Sequence, residues 1–294
     1  MEPDRTIDVT GAGGVPLAAR VWDGPPGRSA GPGLLLHHGL ASSMRIWDLM
    51  IPHLARSRRV VAFDARGHGT SGKPSTGYGF ETTTADAIAV ARAARLGRPV
   101  VVGHSWGGMV ALEIADRHPR SIAGAILVDG GLVRMRDNFP DWRSARVALA
   151  PPQLAGTGVE QFRRMMRSFL GEELDLTPQV EDIILSVMRV DREGRIHPRL
   201  SRANHLRILR AIWEQDPMVA FARLRAPLLA IAARREGTDD DFTAAKHSGM
   251  TEARRASRGR PARFRWMEGI HDLPLQRPAA LARTVERFAR EAVG

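Results

Sequence analysis

The chain reads as an α/β protein: an eight-stranded, mostly parallel sheet covered by helices on both faces, with a helical segment inserted late in the sheet. Three observations predict it. Short apolar, β-branched runs alternate with amphipathic stretches along most of the 294 residues, the pattern of buried parallel strands joined by crossover helices. One such run, Val100-Val101-Val102-Gly103, passes through the sharp turn Gly103-His104-Ser105-Trp106-Gly107 into a helical pattern. Between Leu132 and Leu224 no strand pattern appears, only apolar residues at helical spacing.

Taken in order, Thr6–Val9 and Leu17–Trp22 form an opening antiparallel pair, because Gly11-Ala12-Gly13-Gly14 between them supplies a turn free of side-chain restriction. Gly33–Leu36 and Arg59–Phe63 are the next strands, with an amphipathic helix from Met44 to Leu54 between them and another from Thr83 to Leu96 behind them. Val100–Gly103 leads into the helix Met109–Arg117, which His118-Pro119 stops because the residue before a proline disfavours the helical conformation. Gly124–Val128 is the sixth strand. The insertion then carries three helical stripes. Val159, Phe162, Met165, Met166, Phe169 and Leu170 make the first, and Val180, Ile183, Ile184, Val187 and Met188 the second, after the helix-start pair Thr177-Pro178. Leu206, Leu209, Ile212 and Trp213 make the third. Leu228–Ala232 and Arg263–Met267 complete the sheet, and Ala279–Ala292 is a final helix. The expected organisation is a core of residues 1–131 and 225–294 with a helical cap, or lid, of residues 132–224. Most of the cap's apolar residues should pack on one another, and a few should line a pocket if the cap sits over Ser105.

Composition narrows the functional classes. A net charge of +11 suggests nucleic acid at first, but only two lysines occur, Lys73 and Lys246, and the arginines are scattered through helices and interleaved with acids. A nucleic-acid face needs clustering with groove-reading or aromatic elements, and only Arg254, Arg255, Arg258 and Arg260 approach that, so no nucleic-acid partner is expected. Zero cysteines exclude disulfides, thiol catalysis and cysteine-ligated zinc. The start, Met1-Glu2-Pro3-Asp4-Arg5, lacks the pattern of a signal peptide, and no apolar run reaches about eighteen residues. The expectation is a cytoplasmic protein without a membrane partner.

The chemistry gathers around Ser105. A strand–turn–helix bend with glycines two positions either side of a serine strains the serine backbone and presents its hydroxyl at the sheet edge. A lone hydroxyl is a poor nucleophile and needs a base, itself oriented by a carboxylate. His271 is the best-placed base, in the loop Glu268-Gly269-Ile270-His271-Asp272 after the last strand. Backbone N–H groups suit a developing oxyanion because they are fixed dipoles. The candidates are Trp106, next after the serine, and Leu40, in the turn His37-His38-Gly39-Leu40. The paired histidines raise the thought of a metal, but no third ligand lies near them in sequence, and the reading calls for neither metal nor cofactor.

His38-Gly39, Asp64-Ala65-Arg66-Gly67-His68-Gly69-Thr70-Ser71-Gly72, Gly103-His104-Ser105-Trp106-Gly107 and Gly269-Ile270-His271-Asp272 stand in the order of the α/β-hydrolase superfamily, and the chain resembles a serine-nucleophile, esterase- or lipase-like member with a helical cap. The resemblance covers essentially everything outside the cap. It implies the α/β-hydrolase fold with the second strand antiparallel, a cap after strand six, Ser-acid-His chemistry, and structural roles for Asp64 and His68. It leaves the acid open. Relatives usually place it just after strand seven, where Glu236 falls at the expected offset although the customary Gly-x-x-Asp turn is absent; some place it after strand six, where this chain has Asp129. Asp239, Asp240 and Asp241 are further alternatives.

The expected activity is cleavage of a small-molecule carboxylic ester or lactone through an acyl-enzyme on Ser105. Two alternatives stand beside it: hydrolysis of a carbon–carbon bond by the same serine site, and a catalytically silent binder of a small ligand. Serine at the bend disfavours haloalkane dehalogenase and epoxide hydrolase chemistry, which uses aspartate there.

Overall fold

The computed structural model describes residues 1–25, 31–235, 237 and 241–292. The strands are β1 Arg5–Thr10, β2 Pro16–Trp22, β3 Leu34–His37, β4 Val60–Phe63, β5 Val100–His104, β6 Gly124–Val128, β7 Met188–Val190, β8 Ile196–Pro198, β9 Leu228–Arg234 and β10 Ala262–Glu268. Eight of them form one sheet in the order β1-β2-β4-β3-β5-β6-β9-β10. β2 is antiparallel to both β1 and β4, and every other pairing in that sheet is parallel.

The helices are α1 Ile51–Leu54, α2 Phe80–Ala93, α3 Trp106–Arg117, α4 Met135–Asn138, α5 Trp142–Ala148, α6 Val159–Leu170, α7 Pro178–Leu185, α8 Arg202–Glu214, α9 Pro217–Arg223, α10 Asp241–Ala256, α11 Leu273–Gln276 and α12 Pro278–Glu291. Because side chains alternate across a strand, the central strands feed two cores. Leu35, Val61, Val101, Ala125 and Leu127 pack with buried residues of α2, α3, α9 and α10 on one face. Leu34, Leu36, Val60, Ala62, Val100, Val102, Ile126 and Val128 pack with those of α1, α11 and α12 on the other. Both strand faces are dry, which is why these runs are continuously apolar in sequence.

Three local departures have physical causes. The helix expected from Met44 to Leu54 is a 3-10 turn over Met44–Trp47 followed by the single turn α1. Pro52 lacks the N–H that a continuous helix would bond to Asp48, and its ring would crowd that carbonyl. In the insertion, where no strand was expected, β7 and β8 form a short antiparallel hairpin. α7 stops at Leu185, so Met188 belongs to this hairpin instead of to the helical stripe. Its turn is built by Asp191, whose carboxylate accepts from the N–H groups of Glu193 and Arg195, and by Gly194 at φ 71°; strands of three residues are too short to show an alternating pattern. Finally α10 has no counterpart in the sequence reading. Its buried side mixes Thr243, Lys246 and Gly249 with Met250 and Ala253, so no apolar stripe marks it in the sequence, and it packs against α9.

Candidate active site

At the end of β5 the backbone of Ser105 takes φ 54° and ψ −118°, a conformation that costs any residue with a β-carbon about 1–3 kcal/mol. The surroundings enforce it. A β-carbon at Gly103 would lie 1.9 Å from the Gly107 carbonyl oxygen, and one at Gly107 would lie 2.4 Å from that of His37. Gly130, after β6, is needed for the same reason, since a β-carbon there would sit 2.0 Å from the Ser105 carbonyl oxygen. Gly103→Ala is therefore expected to destabilise the protein by about 3 kcal/mol, because backbone must move to admit the methyl group; a lowered midpoint in denaturant unfolding with unchanged slope checks this.

His271 lies three residues past β10. The Ile270 N–H donates to the Gln276 side-chain oxygen at 2.9 Å, and the His104 ring donates through Nε2 to the His271 carbonyl at 2.9 Å. The two imidazoles pack with centroids 4.8 Å apart. On its other side, His271 Nδ1 donates to Asp129 Oδ2 at 2.7 Å. Ser105 and His271 share the walls of two cavities.

Asp129 follows β6 directly and is itself in the left-handed region, at φ 48°. Its side chain is 1% exposed and held on three sides. Oδ1 accepts from the Ala233 N–H at 2.8 Å, and Oδ2 accepts from Lys246 Nζ at 2.8 Å as well as from His271. Burial would raise the Asp129 pKa, but the hydrogen bond and charge of His271, with those of Lys246, hold it below the usual carboxylate value. For His271, burial works to lower the pKa; the bond to Asp129 and the charges of Asp129 and Asp272 outweigh it and keep the imidazole above its ordinary 6.5.

Of the weighed carboxylates that lie among the described residues, Asp129 is the one bonded to the histidine. Glu236, Asp239 and Asp240 lie outside the described residues, and Asp241 is exposed at the start of α10.

Trp106 is the first residue of α3, where a helix leaves its N–H groups without intrahelical partners. Leu40 lines both cavities with Ser105, and the loop before it comes so close that a β-carbon on Gly39 would be 3.1 Å from the serine β-carbon. That loop is braced by neutral histidines. His38 donates through Nδ1 to the Gly39 carbonyl and accepts at Nε2 from the Ala65 N–H, 3.0 Å away. His68 donates through Nδ1 to the Arg66 carbonyl, accepts at Nε2 from the Ala41 N–H at 3.3 Å, and stacks on Trp106. Burial pushes the pKa of His37 and His68 down to about 3. Asp64 accepts from the N–H groups of Met44 and Thr70, tying this turn together as a brace. Among the described residues no group of three His, Asp or Glu side chains is arranged to hold a metal ion.

Of the two cavities, one has a volume of about 320 Å³ and the other about 300 Å³. The first is mostly apolar, with Leu132, Met135, Leu149, Leu209, Ile212 and Phe242 in its walls, and it carries Asp129, Lys246 and His205 as polar members. The second runs under the insertion past Leu170, Ile183, Ile184 and Val187. A larger concavity, about 850 Å³, lies between β10 and α12 among arginines, away from the serine. Sequence reasoning missed Lys246, His205 and His104: each is a single polar residue whose position is set by contacts far along the chain.

A family model described as the alpha/beta hydrolase fold matches residues 32–251. A non-heme chloroperoxidase from Streptomyces lividans is 38% identical over 122 residues, 41% of this chain and 43% of that protein. A soluble epoxide hydrolase from Corynebacterium sp. (strain C12) is 35% identical over 116 residues, 38% of this chain and 41% of that protein. The chain thus matches less than half the length of each of these two relatives. The crystal structure of E-2-(acetamidomethylene)succinate hydrolase superposes with a TM-score of 0.74 at 18% identity, covering 97% of this chain and 98% of that one, a likeness of fold. No described helix is long and apolar enough to cross a membrane.

Proposed function

The chain belongs to the α/β-hydrolase fold family, and on that premise we propose that it is a serine hydrolase of carboxylic esters or lactones, with residues 132–224 acting as its cap. The reading rests on one observation above the others: a carboxylate and an imidazole hydrogen-bonded at 2.7 Å, the imidazole sharing cavity walls with a serine on a strained strand–helix bend.

In the proposed reaction His271 Nε2 takes the Ser105 hydroxyl proton as the oxygen attacks the acyl carbonyl. Asp129 fixes the tautomer that leaves Nε2 free to accept, and stabilises the imidazolium that forms. The N–H groups of Leu40 and Trp106 receive the tetrahedral oxyanion. The alcohol leaves with the proton from His271, and water, deprotonated by the same nitrogen, releases the carboxylic acid and restores the serine. The apolar residues around the first cavity suit an uncharged acyl or ring substituent of modest size.

A fluorophosphonate probe should label Ser105 rapidly, and p-nitrophenyl esters should be turned over. Because His271 must be neutral to act as base, kcat/KM should fall as pH drops through its raised pKa, with the midpoint of the acidic limb above 6.5. A panel of p-nitrophenyl esters, lactones and vinylogous diketones sets the bond type: turnover confined to the diketones would replace ester chemistry by carbon–carbon cleavage. Absence of labelling at Ser105 would leave a silent binder and end the proposal.

A further inference from the structure

Lys246 projects from α10 into the site with its side chain 8% exposed. A buried ammonium is costly unless every face of it is matched, and here the partners are specific. Nζ donates to Asp129 Oδ2 at 2.8 Å and to the Ala233 carbonyl at 2.9 Å, and it lies 4.5 Å from the centre of the Phe242 ring. We propose that Lys246 is a positioning residue for the hydrolysis: by bridging the Asp129 carboxylate to the end of β9 it locks the acid in the rotamer that meets His271, and its charge limits how firmly Asp129 holds a proton on that histidine. This rests on the serine-hydrolase reading above.

The geometry separates the two roles. Ala233 supplies both a donor to Asp129 Oδ1 and an acceptor for Lys246, so carboxylate, ammonium and strand end close into one ring of hydrogen bonds. Without Nζ, the carboxylate would keep one donor on each oxygen, the Ala233 N–H and His271, and would lose the bridge that ties Oδ2 to the β9 carbonyl. Lys246 and His271 also bond to the same oxygen, Oδ2, so each draws on the electron density the other uses. Charge-assisted bonds of this kind are about twice as strong as neutral ones.

Among the described residues, the groups that face His271 are Asp129 from the end of β6, Lys246 from α10, His104 from β5, Asp272 in its own loop and His205, which lines the same cavity from α8. Burial drives His205 down to about 4 and lowers His104 as well, whereas Lys246 is ion-paired with Asp129. It opposes the rise that Asp129 produces in the His271 pKa. α10 is in turn registered against the loop after Asp129, since a β-carbon on Gly249 would lie 2.1 Å from the Leu132 carbonyl oxygen.

The test compares wild type with Lys246→Met, Lys246→Gln and Lys246→Arg on a p-nitrophenyl ester, after fluorophosphonate labelling has established that the wild-type serine is active. Lys246→Met should lower kcat by about tenfold or more with KM within about twofold, and should move the acidic limb of kcat/KM upward by about one pH unit. Lys246→Gln, which removes the charge but keeps a donor, should show the limb shift with a smaller loss of kcat, and Lys246→Arg should restore the wild-type limb. If Lys246→Met does not fold, the limb position in Lys246→Gln decides. An unshifted limb with wild-type kcat, or a change confined to KM, overturns the proposal and makes Lys246 a wall of the pocket. Failure of the wild-type serine to label would overturn the serine-hydrolase reading itself.

Discussion

Ser105→Ala is expected to lower kcat for a p-nitrophenyl ester by about 10⁶-fold, leaving the fold and the thermal midpoint close to wild type. The loss is this large because the nucleophile, the base and the acid act as one unit: with the hydroxyl gone, the imidazole has no attacking oxygen to activate. What survives is the contribution of the oxyanion donors and of binding, which leaves about 10³-fold over water. Stability is preserved because alanine meets the same backbone strain at φ 54° that serine does. Ser105→Gly sharpens the point, since glycine occupies that conformation without penalty and should raise stability by about 1 kcal/mol while abolishing turnover. Wild-type kcat in Ser105→Ala would refute the mechanism.

Asp129→Asn should lower kcat by about 10⁴-fold, and unlike the serine variant it should also destabilise. The amide presents a donor where His271 and Lys246 both need an acceptor, so the imidazole loses its tautomer and the ammonium loses its counter-charge. Leaving a buried charge uncompensated costs about 3 kcal/mol, visible as a lower unfolding midpoint in the same sample that has lost activity. Glu236→Gln should stay within about twofold of wild type in both respects. The opposite pattern, with Glu236→Gln inactive and Asp129→Asn unaffected, would move the acid to the connection after β9.

These two outcomes bear on what the sequence can disclose. The strand–turn–helix around Ser105 and Trp106 was legible because most of the bend is local: two of the glycines that permit it, Gly103 and Gly107, lie within two residues of the serine. His271 was legible from its place between the last strand and the last helix. The carboxylate proposed as the acid was not, because the histidine it bonds is 142 residues away and the sequence carries carboxylates after two strands, Asp129 after β6 and Glu236 after β9. β6 and β9 are neighbours in the sheet, and nothing in the sequence local to Asp129 or Glu236 distinguishes them. Lys246 was invisible for a related reason. α10 mixes Lys246, Thr243, Gly249 and Met250 on its buried side, a face too polar to stand out as an apolar stripe. The paired histidines mislead in the other direction. His68 does approach His38, with ring centroids 4.8 Å apart, but the ring nitrogens of both are spent on backbone groups, as the local sequence could not reveal.

The bends at Ser105 and Asp129 interlock. The Ser105 N–H donates to the Val128 carbonyl at 2.9 Å, the Asp129 N–H donates to the Ile231 carbonyl at 2.8 Å, and Gly130 lies flush against the Ser105 carbonyl. Ser105 and Asp129 therefore inherit a single geometry from adjoining strands. A substitution that tilts one peptide tilts the other, so descendants of this chain can vary the two positions only in concert.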